Sequence, residues 1–346
     1  MTIDALPIHG GDLAAASVRY GVARGDWLDL STGINPNPYP CGAIPAAAWH
    51  ALPDAALGGA LVAAARHGYG IGAAAKVAAA SGTQALIQWL PRLITAHDVA
   101  VVTPTYGEHA SAWAAVGARV REVEGIEEGD DADVLVVVNP NNPDGRAYEP
   151  LDLLRRAEDR ARDGRWIVVD EAFCDVTPEI SLAAKSGAEG LIVLRSFGKF
   201  FGLAGLRLGF ALCPPEFGQR LEAAMGPWAV SGPAAVIGAR ALADDAWTAA
   251  TRQALRGMTA RMDDLLAEVG MTVIGGTDLF RLTHFADALP VYHGLARRGV
   301  LSRAFAARPG WLRFGLPADC EGFDRFALAL RAAMAEAGTG AVSDPG

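Results

Sequence analysis

Residues 195–207 read Arg195-Ser196-Phe197-Gly198-Lys199-Phe200-Phe201-Gly202-Leu203-Ala204-Gly205-Leu206-Arg207. One lysine stands among apolar and glycine neighbours, with a hydroxyl three residues before it and an arginine eight residues after it. These are the parts needed to hold a phosphate-bearing aldehyde as a Schiff base. The Lys199 amine would form the covalent link, and Ser196 and Arg207 would meet the phosphate. A lone Ser-x-x-Lys is also an ordinary surface loop, so the neighbouring segments have to decide between the two.

Short apolar runs alternate with helical stretches upstream of the lysine, the pattern of an α/β domain with a largely parallel sheet. Residues 99–102 read as a strand ending in Thr103-Pro104-Thr105-Tyr106-Gly107-Glu108. Residues 134–138 form another, ending in Asn139-Pro140-Asn141-Asn142-Pro143-Asp144-Gly145-Arg146. A third, 167–169, ends in Asp170-Glu171-Ala172-Phe173, and 191–194 leads into the lysine. Ligands of open parallel sheets sit at the carboxyl ends of the strands, so these four endings converge on one site. A surface-loop reading of Lys199 does not explain that convergence.

The side chains at those endings suit pyridoxal 5'-phosphate. A pyridinium ring withdraws electrons only while its nitrogen is protonated, and Asp170 can hold that proton by charge pairing. A buried strand-end carboxylate with no partner would be costly. Asn142 can donate to the ring's phenolate oxygen, and Tyr106 can stack on the ring face. Ser81-Gly82-Thr83-Gln84 opens a helix-like run over 85–94, so Gly82, Thr83 and Gln84 are candidates for a phosphate cup at a helix start. An ordinary N-cap explains those residues equally well.

Two glycine-rich and polar clusters occupy the first forty residues: His9-Gly10-Gly11-Asp12, and Asp29-Leu30-Ser31-Thr32-Gly33-Ile34-Asn35-Pro36-Asn37-Pro38. Their prolines and glycines predict an extended arm with no regular helix. His9 and Asn35 can serve an anion there or simply order a turn. Residues 43–80 read as helical and alanine-rich, and Gly68-Tyr69-Gly70-Ile71-Gly72 lacks the spacing and preceding strand of a dinucleotide loop. After a strand at 208–212, Pro214-Pro215 is expected to begin a crossover to a second domain. A long helix over 234–268 with a break near Gly257 follows, then strands at 271–274, 279–283 and 311–314, a helix over 322–337 and a frayed tail. The expected division is an N-terminal arm over 1–42 contributing to the small domain and active site, a large cofactor-binding domain over 43–233, and a C-terminal small domain over 234–346.

At 346 residues, one large and one smaller domain are the default expectation. A formal charge of −9 and the lack of a Lys/Arg-rich run argue against a nucleic-acid partner. Cys41, Cys174, Cys213 and Cys320 are scattered, which indicates neither a metal site nor a disulfide framework. The start, Met1-Thr2-Ile3-Asp4, has no basic-then-apolar pattern, and no uncharged apolar run reaches membrane-spanning length. A cytoplasmic protein with no membrane partner is expected.

Three segments together, Asn-Pro-Asn-Asn-Pro-Asp-Gly, Asp-Glu-Ala-Phe and Ser-Phe-Gly-Lys-Phe-Phe-Gly-Leu-Ala-Gly-Leu-Arg, resemble those of the class I and II aminotransferases. These are the fold type I pyridoxal-phosphate enzymes, and the resemblance covers essentially the whole chain. It implies an α/β fold, with a mostly parallel sheet in the large domain and a smaller α/β domain beside it, and a homodimer. It also implies Lys199 as the Schiff-base lysine, Asp170 as pyridinium partner, Asn142 as phenolate donor and Tyr106 as the stacking aromatic. Gly82, Thr83, Gln84, Ser196 and Arg207 would surround the cofactor phosphate. Arg313, in Trp311-Leu312-Arg313-Phe314-Gly315, matches the arginine that clamps the substrate carboxylate through two parallel hydrogen bonds.

Within that superfamily, His-Gly-Gly-Asp together with Leu-Ser-Thr-Gly-Ile-Asn-Pro is similar to the L-threonine-O-3-phosphate decarboxylases of cobalamin biosynthesis, and histidinol-phosphate aminotransferases are near relatives. This resemblance implies a small phosphorylated amino acid as substrate. His9 and Asn35 would approach its phosphate, Arg303 would assist, and Gly33 and Asn142 would complete the substrate site. The expected reaction is decarboxylation of L-threonine O-3-phosphate to (R)-1-aminopropan-2-ol O-phosphate; the alternative is transamination of histidinol phosphate or another amino acid. Two residues depart from the pattern: Leu52 replaces a tyrosine that reaches the neighbouring subunit's cofactor phosphate, and Phe173 replaces a tyrosine near the phenolate oxygen.

Overall fold

Beyond Gly11 the chain does not stay extended. Asp12 accepts a hydrogen bond from the Ala15 amide at 3.0 Å and caps a helix, α1 (Leu13–Tyr20), which closes on Gly21 in the left-handed conformation. The polar cluster is thus the cap of a helix whose opening alanines are strong helix formers, which corrects the expected arm. In this computed structural model residues 9–286 and 288–340 are described, so the expected character of the first four residues lies outside them. The described chain divides into two compact units, one of Pro38–Thr251 and one drawn from 1–37 and 252–346.

The N-terminal part of the second unit also holds a two-residue strand, β1 (Leu28–Asp29). The first unit then runs α2 (Ala47–His50), α3 (Ala55–Gly68), β2 (Lys76–Ala80), α4 (Thr83–Leu93), β3 (Asp98–Val102), α5 (Glu108–Ala114), β4 (Arg119–Val123) and β5 (Val134–Val138). It continues with α6 (Pro150–Arg162), β6 (Trp166–Asp170), β7 (Leu191–Ser196), α7 (Phe197–Phe200), β8 (Gly209–Cys213), α8 (Pro215–Met225), α9 (Gly232–Leu242) and the opening of α10 (Asp245–Glu268). Its seven strands form one sheet in the order β2-β8-β7-β6-β5-β3-β4. Every pairing is parallel except those of β8, which runs against β2 and β7. All five residues of Val134–Val138 are buried, as expected for a central parallel strand covered on both faces.

Two strands of this sheet escape the sequence reading. β2 is Lys-Val-Ala-Ala-Ala, whose alanines lack the β-branching that marks a strand, so the run reads as a continuation of the preceding helices. β4 is Arg-Val-Arg-Glu-Val, and its charged residues suit the sheet edge it occupies. Pro214-Pro215 opens α8 of the same unit and begins no crossover, because proline is well tolerated at the first helical turn. The break expected near Gly257 falls instead between α9 and α10, and Gly257 lies inside an unbroken helix. The division between the units falls at 251/252, within α10, and at 37/38, whereas the sequence reading drew its boundaries at 42/43 and 233/234.

The other unit continues with β9 (Thr272–Thr277), β10 (Phe280–His284), α11 (Ala288–Arg297), β11 (Val300–Leu301), β12 (Arg303–Ala304), β13 (Trp311–Gly315) and α12 (Cys320–Gly340). β12-β13-β10-β9 make an antiparallel sheet, and β1 pairs in parallel with β11. The last helix runs to Gly340, past the expected end at 337, and the rest of the predicted tail, 341–346, lies outside the described residues.

Candidate active site

Register in the large sheet brings the phosphate-binding candidates to one end. Gly209 of β8 is paired with both Ala80 of β2 and Ser196 of β7. Because β8 runs opposite to both, its start lies beside their ends, so Arg207 arrives next to Gly82 and Ser196. Gly82 has φ +84°, a conformation that favours glycine, and a Cβ there would lie 2.6 Å from Arg207 Nη2 and push the guanidinium aside. Arg207 itself holds φ 55°, in the left-handed region, and donates from Nη1 to the Ala204 carbonyl at 3.1 Å. A strained arginine backbone of this kind persists where the surroundings over-determine it.

A cleft of about 160 Å³ opens at this end of the sheet, and Thr83, Gln84, Tyr106, Asn142, Asp170, Ser196, Lys199 and Arg207 all line it. The apolar part of its wall is Ile87, Val138, Ala172 and Phe173. Lys199, on the single-turn helix α7, places Nζ 5.5 Å from the centre of the Phe173 ring. Asp170 is 3% exposed, its Oδ1 accepting from the Ala172 amide at 2.9 Å and its Oδ2 lying 2.9 Å from Nε2 of the equally buried His109. The Tyr106 hydroxyl donates to Gln84 Oε1 at 3.2 Å, and Gln84 Nε2 donates to Glu108 at 2.9 Å. The Gln84 side chain therefore braces Tyr106, leaving the start of α4 to meet an anion through its backbone. Burial raises the Tyr106 phenol above its ordinary pKa, and Glu108 and Asp170 add to that rise. Asn142 follows a turn pinned by Asn141, which accepts from Thr105 Oγ1 at 2.7 Å and donates to the Pro104 carbonyl and Asp144 at 2.8 Å each.

Immediately behind the cleft lies an ion cluster. Arg195 donates from Nη1 to Glu171 Oε2 at 2.8 Å and from Nη2 to Asp175 Oδ1 at 2.6 Å, with all three side chains under 5% exposed. Its guanidinium carbon sits 4.3 Å from the Tyr69 ring centre. Glu171 also accepts from Ser181 Oγ and the Leu182 amide, at 2.6 Å each. Burial works against the Arg195 charge, but Asp175 and Glu171 outweigh it and hold its pKa well above the ordinary value. Glu171 follows Asp170, and Arg195 precedes Ser196, so the cluster clamps the two neighbouring strand ends that carry site residues.

The other unit holds the remaining candidates. Arg313 of β13 is directly opposite Arg303 of β12. Arg313 is 7% exposed, donates from Nη2 to the Ser31 carbonyl at 2.8 Å and lies 5.2 Å from the Phe280 ring centre. Burial first, then the neighbouring Arg303, push its pKa down to about 9, with Asp29 acting against them. Burial also lowers Arg303, whose guanidinium carbon is 5.4 Å from the Phe305 ring centre. Gly33 and Asn35 are buried, with Asn35 Oδ1 accepting from the Asn37 amide at 2.9 Å, and His9 is exposed beside Gly10.

A profile of the aminotransferase class I and II family matches residues 59–324. The chain belongs to that family. Among its relatives, threonine-phosphate decarboxylase of Pseudomonas aeruginosa is 46% identical over 93% of this chain and 96% of its own length. An enzyme of the same name from a Sinorhizobium species is 42% identical over 93% of this chain and 97% of its own. In three dimensions, histidinol-phosphate aminotransferase of Sinorhizobium meliloti in complex with pyridoxal-5'-phosphate superposes with a TM-score of 0.77, at 22% identity and 96% coverage of each chain.

The Lys199 cleft of this family member fits pyridoxal 5'-phosphate. A dianion meets the Gly82–Arg207 cradle, which a Cβ at residue 82 would close, and a buried carboxylate and an amine complete the donor set. Sequence reasoning missed His109, although it stands three residues after Tyr106, in the first turn of α5, where the two rings make edge contact at 6.2 Å. It quoted Glu171 and Arg195 without giving them a role, because their pairing depends on strand order. Phe173 is buried against Lys199, and Leu52 is 65% exposed.

Proposed function

We propose that the chain decarboxylates L-threonine O-3-phosphate to (R)-1-aminopropan-2-ol O-phosphate and CO₂, with pyridoxal 5'-phosphate held at Lys199. The observation that carries the substrate class is the cross-strand pair Arg303–Arg313. Burial disfavours the charge on both guanidiniums and Arg303 further depresses Arg313, and an incoming carboxylate and phosphate relieve that cost. The decarboxylase reading, in preference to transamination of histidinol phosphate or another amino acid, draws its support from the near-complete coverage of relatives named threonine-phosphate decarboxylase.

The bound cofactor supplies an aldehyde for the amine and a protonated ring that accepts electron density from the substrate Cα. Lys199 Nζ would hold that aldehyde. Asp170, oriented by His109 and the Ala172 amide, keeps the ring nitrogen protonated, and Asn142 donates to the phenolate oxygen. Thr83, Ser196 and Arg207 hold the cofactor phosphate, and Tyr106, braced by Gln84, covers the ring face. Arg313 takes the substrate carboxylate through a planar two-point contact, while Arg303, His9, Gly33 and Asn35 receive the phosphate end. Lys199 Nζ, or an active-site water, would return a proton to Cα in place of the departing CO₂.

We further propose a homodimer and a cytoplasmic location. Trp49, Leu52 and Trp228 are 63%, 65% and 58% exposed, and large apolar side chains of this kind suit a second copy of the chain. No helix among the described residues is long and apolar enough to cross a membrane.

The deciding experiment incubates the protein with L-threonine O-phosphate and, separately, with histidinol phosphate, each with and without 2-oxoglutarate. CO₂ release without an acceptor is expected; glutamate formed from histidinol phosphate instead would favour the transaminase. Lys199→Ala is expected to abolish the visible absorbance of the bound cofactor, and an unchanged spectrum would remove Lys199 from the centre of the site.

A further inference from the structure

Residues 28–30 are fastened along their backbone. The Leu28 and Leu30 amides donate to the Gly299 and Leu301 carbonyls at 2.8 Å each, and the Leu30 carbonyl accepts from the Gly315 amide at 2.7 Å. Ser31 follows directly on this pinned segment, two residues past the end of β1, and is 1% exposed. Its side chain faces one functional element and its backbone another. Oγ accepts from the Gly11 amide at 2.7 Å and donates to Asp29 Oδ1 at 2.6 Å, while the Ser31 carbonyl accepts from Arg313 Nη2 at 2.8 Å.

The glycine loop is shaped to this contact. A Cβ on Gly10 would lie 2.3 Å from the Ser31 carbonyl oxygen and 2.9 Å from Ser31 Oγ, so only glycine lets the loop approach so closely. Gly11 holds φ +86°, a left-handed conformation that aims its amide at Ser31.

We propose that Ser31 is a positioning residue that sets the distance between the His9–Gly11 loop and the Arg313 guanidinium, and so matches the site to an amino acid whose phosphate and carboxylate are that far apart. The inference rests on the substrate reading above, in which the loop takes the phosphate and Arg313 the carboxylate. The two ends respond differently when the hydroxyl is removed. The bond from Gly11 is lost, whereas the bond to Arg313 uses the backbone carbonyl and persists. A small displacement of a binding group is enough to weaken recognition strongly.

The test uses the holoenzyme and two variants that attack the contact from opposite sides, Ser31→Ala and Gly10→Ala. Affinity for inorganic phosphate is measured by calorimetry, and affinity for L-threonine by the change it produces in the visible spectrum. Both variants are expected to bind phosphate about tenfold more weakly and L-threonine within twofold of wild type, with little change in thermal midpoint. Should Ser31→Ala not fold, Gly10→Ala carries the comparison, since Gly10 lies on a partly exposed loop. Unchanged phosphate affinity, or equal weakening of both ligands with a lowered thermal midpoint, overturns the positioning role, as does a wild-type protein that binds no phosphate. Wild-type protein that binds phosphate yet releases no CO₂ from L-threonine O-phosphate overturns the proposed activity alone and leaves the Ser31 comparison in force.

Discussion

Replacing Arg195 with methionine tests the cluster behind the cofactor cleft. Methionine keeps much of the length of arginine and removes its charge. Glu171 and Asp175, which now accept from Arg195 at 2.8 and 2.6 Å, would remain as two carboxylates under 5% exposed with their shared cation gone. Removing one partner of a buried ion pair costs about 3–5 kcal/mol, because the remaining charge is left uncompensated. For a unit of this size each kcal/mol lowers the melting temperature by about 2–4 °C, so a fall of roughly 6–20 °C is expected. The triple variant Arg195→Met, Glu171→Gln, Asp175→Asn should recover most of that loss, since neutralising all three members removes the stranded charge. Glutamine also retains an oxygen for the Leu182 amide, which now donates at 2.6 Å. Thermal and urea unfolding of the three proteins decide the matter. A single variant losing less than about 1 kcal/mol, or a triple variant no more stable than the single one, would falsify the account of the cluster as a coupled charge group.

His109→Phe is expected to weaken cofactor binding at least about tenfold, as loss of a buried hydrogen bond to a charged group costs about 1.5–3 kcal/mol; titration of the apoprotein measures it, and an affinity within twofold of wild type contradicts the role. Arg313→Ala should weaken substrate at least about thirtyfold while cofactor affinity stays near wild type, in line with truncation of a buried charge that binds a charged partner; equal loss of both excludes Arg313 as the carboxylate clamp. Asp133 accepts from the His97 and Asp98 amides at 2.7 and 3.0 Å, and these backbone donors hold its carboxyl below the ordinary 3.8. Its ionised form is favoured on folding, so the stabilisation is present above about pH 4 and fades as pH falls through the lower folded value. Asp133→Asn should therefore be destabilising near neutrality and converge on wild type in acid; a melting-temperature gap independent of pH refutes this.

Chain order was legible where local chemistry is distinctive. The runs 134–138 and 191–194 are too apolar and too β-branched to be anything but buried strands, and the residues that follow them line one cleft. The alanine strand Lys76–Ala80 and the charged edge strand Arg119–Val123 were not legible, because neither carries an apolar pattern of period two strong enough to outweigh its composition. The helix Leu13–Tyr20 was hidden by the glycines that precede its cap.

By itself the sequence determined the kind of cofactor site, because Lys199, Asp170, Asn142 and Arg207 each follow or precede a recognisable strand and their order is read directly along the chain. Only the tertiary structure decided how those residues are held. The antiparallel β8 brings Arg207 onto Gly82, His109 reaches Asp170 across sixty-one residues, and Arg195 bridges two carboxylates that follow the end of the neighbouring β6. The physical reason is range: strand propensity and capping act over a few residues, whereas register and side-chain pairing depend on which strands the packed core makes neighbours.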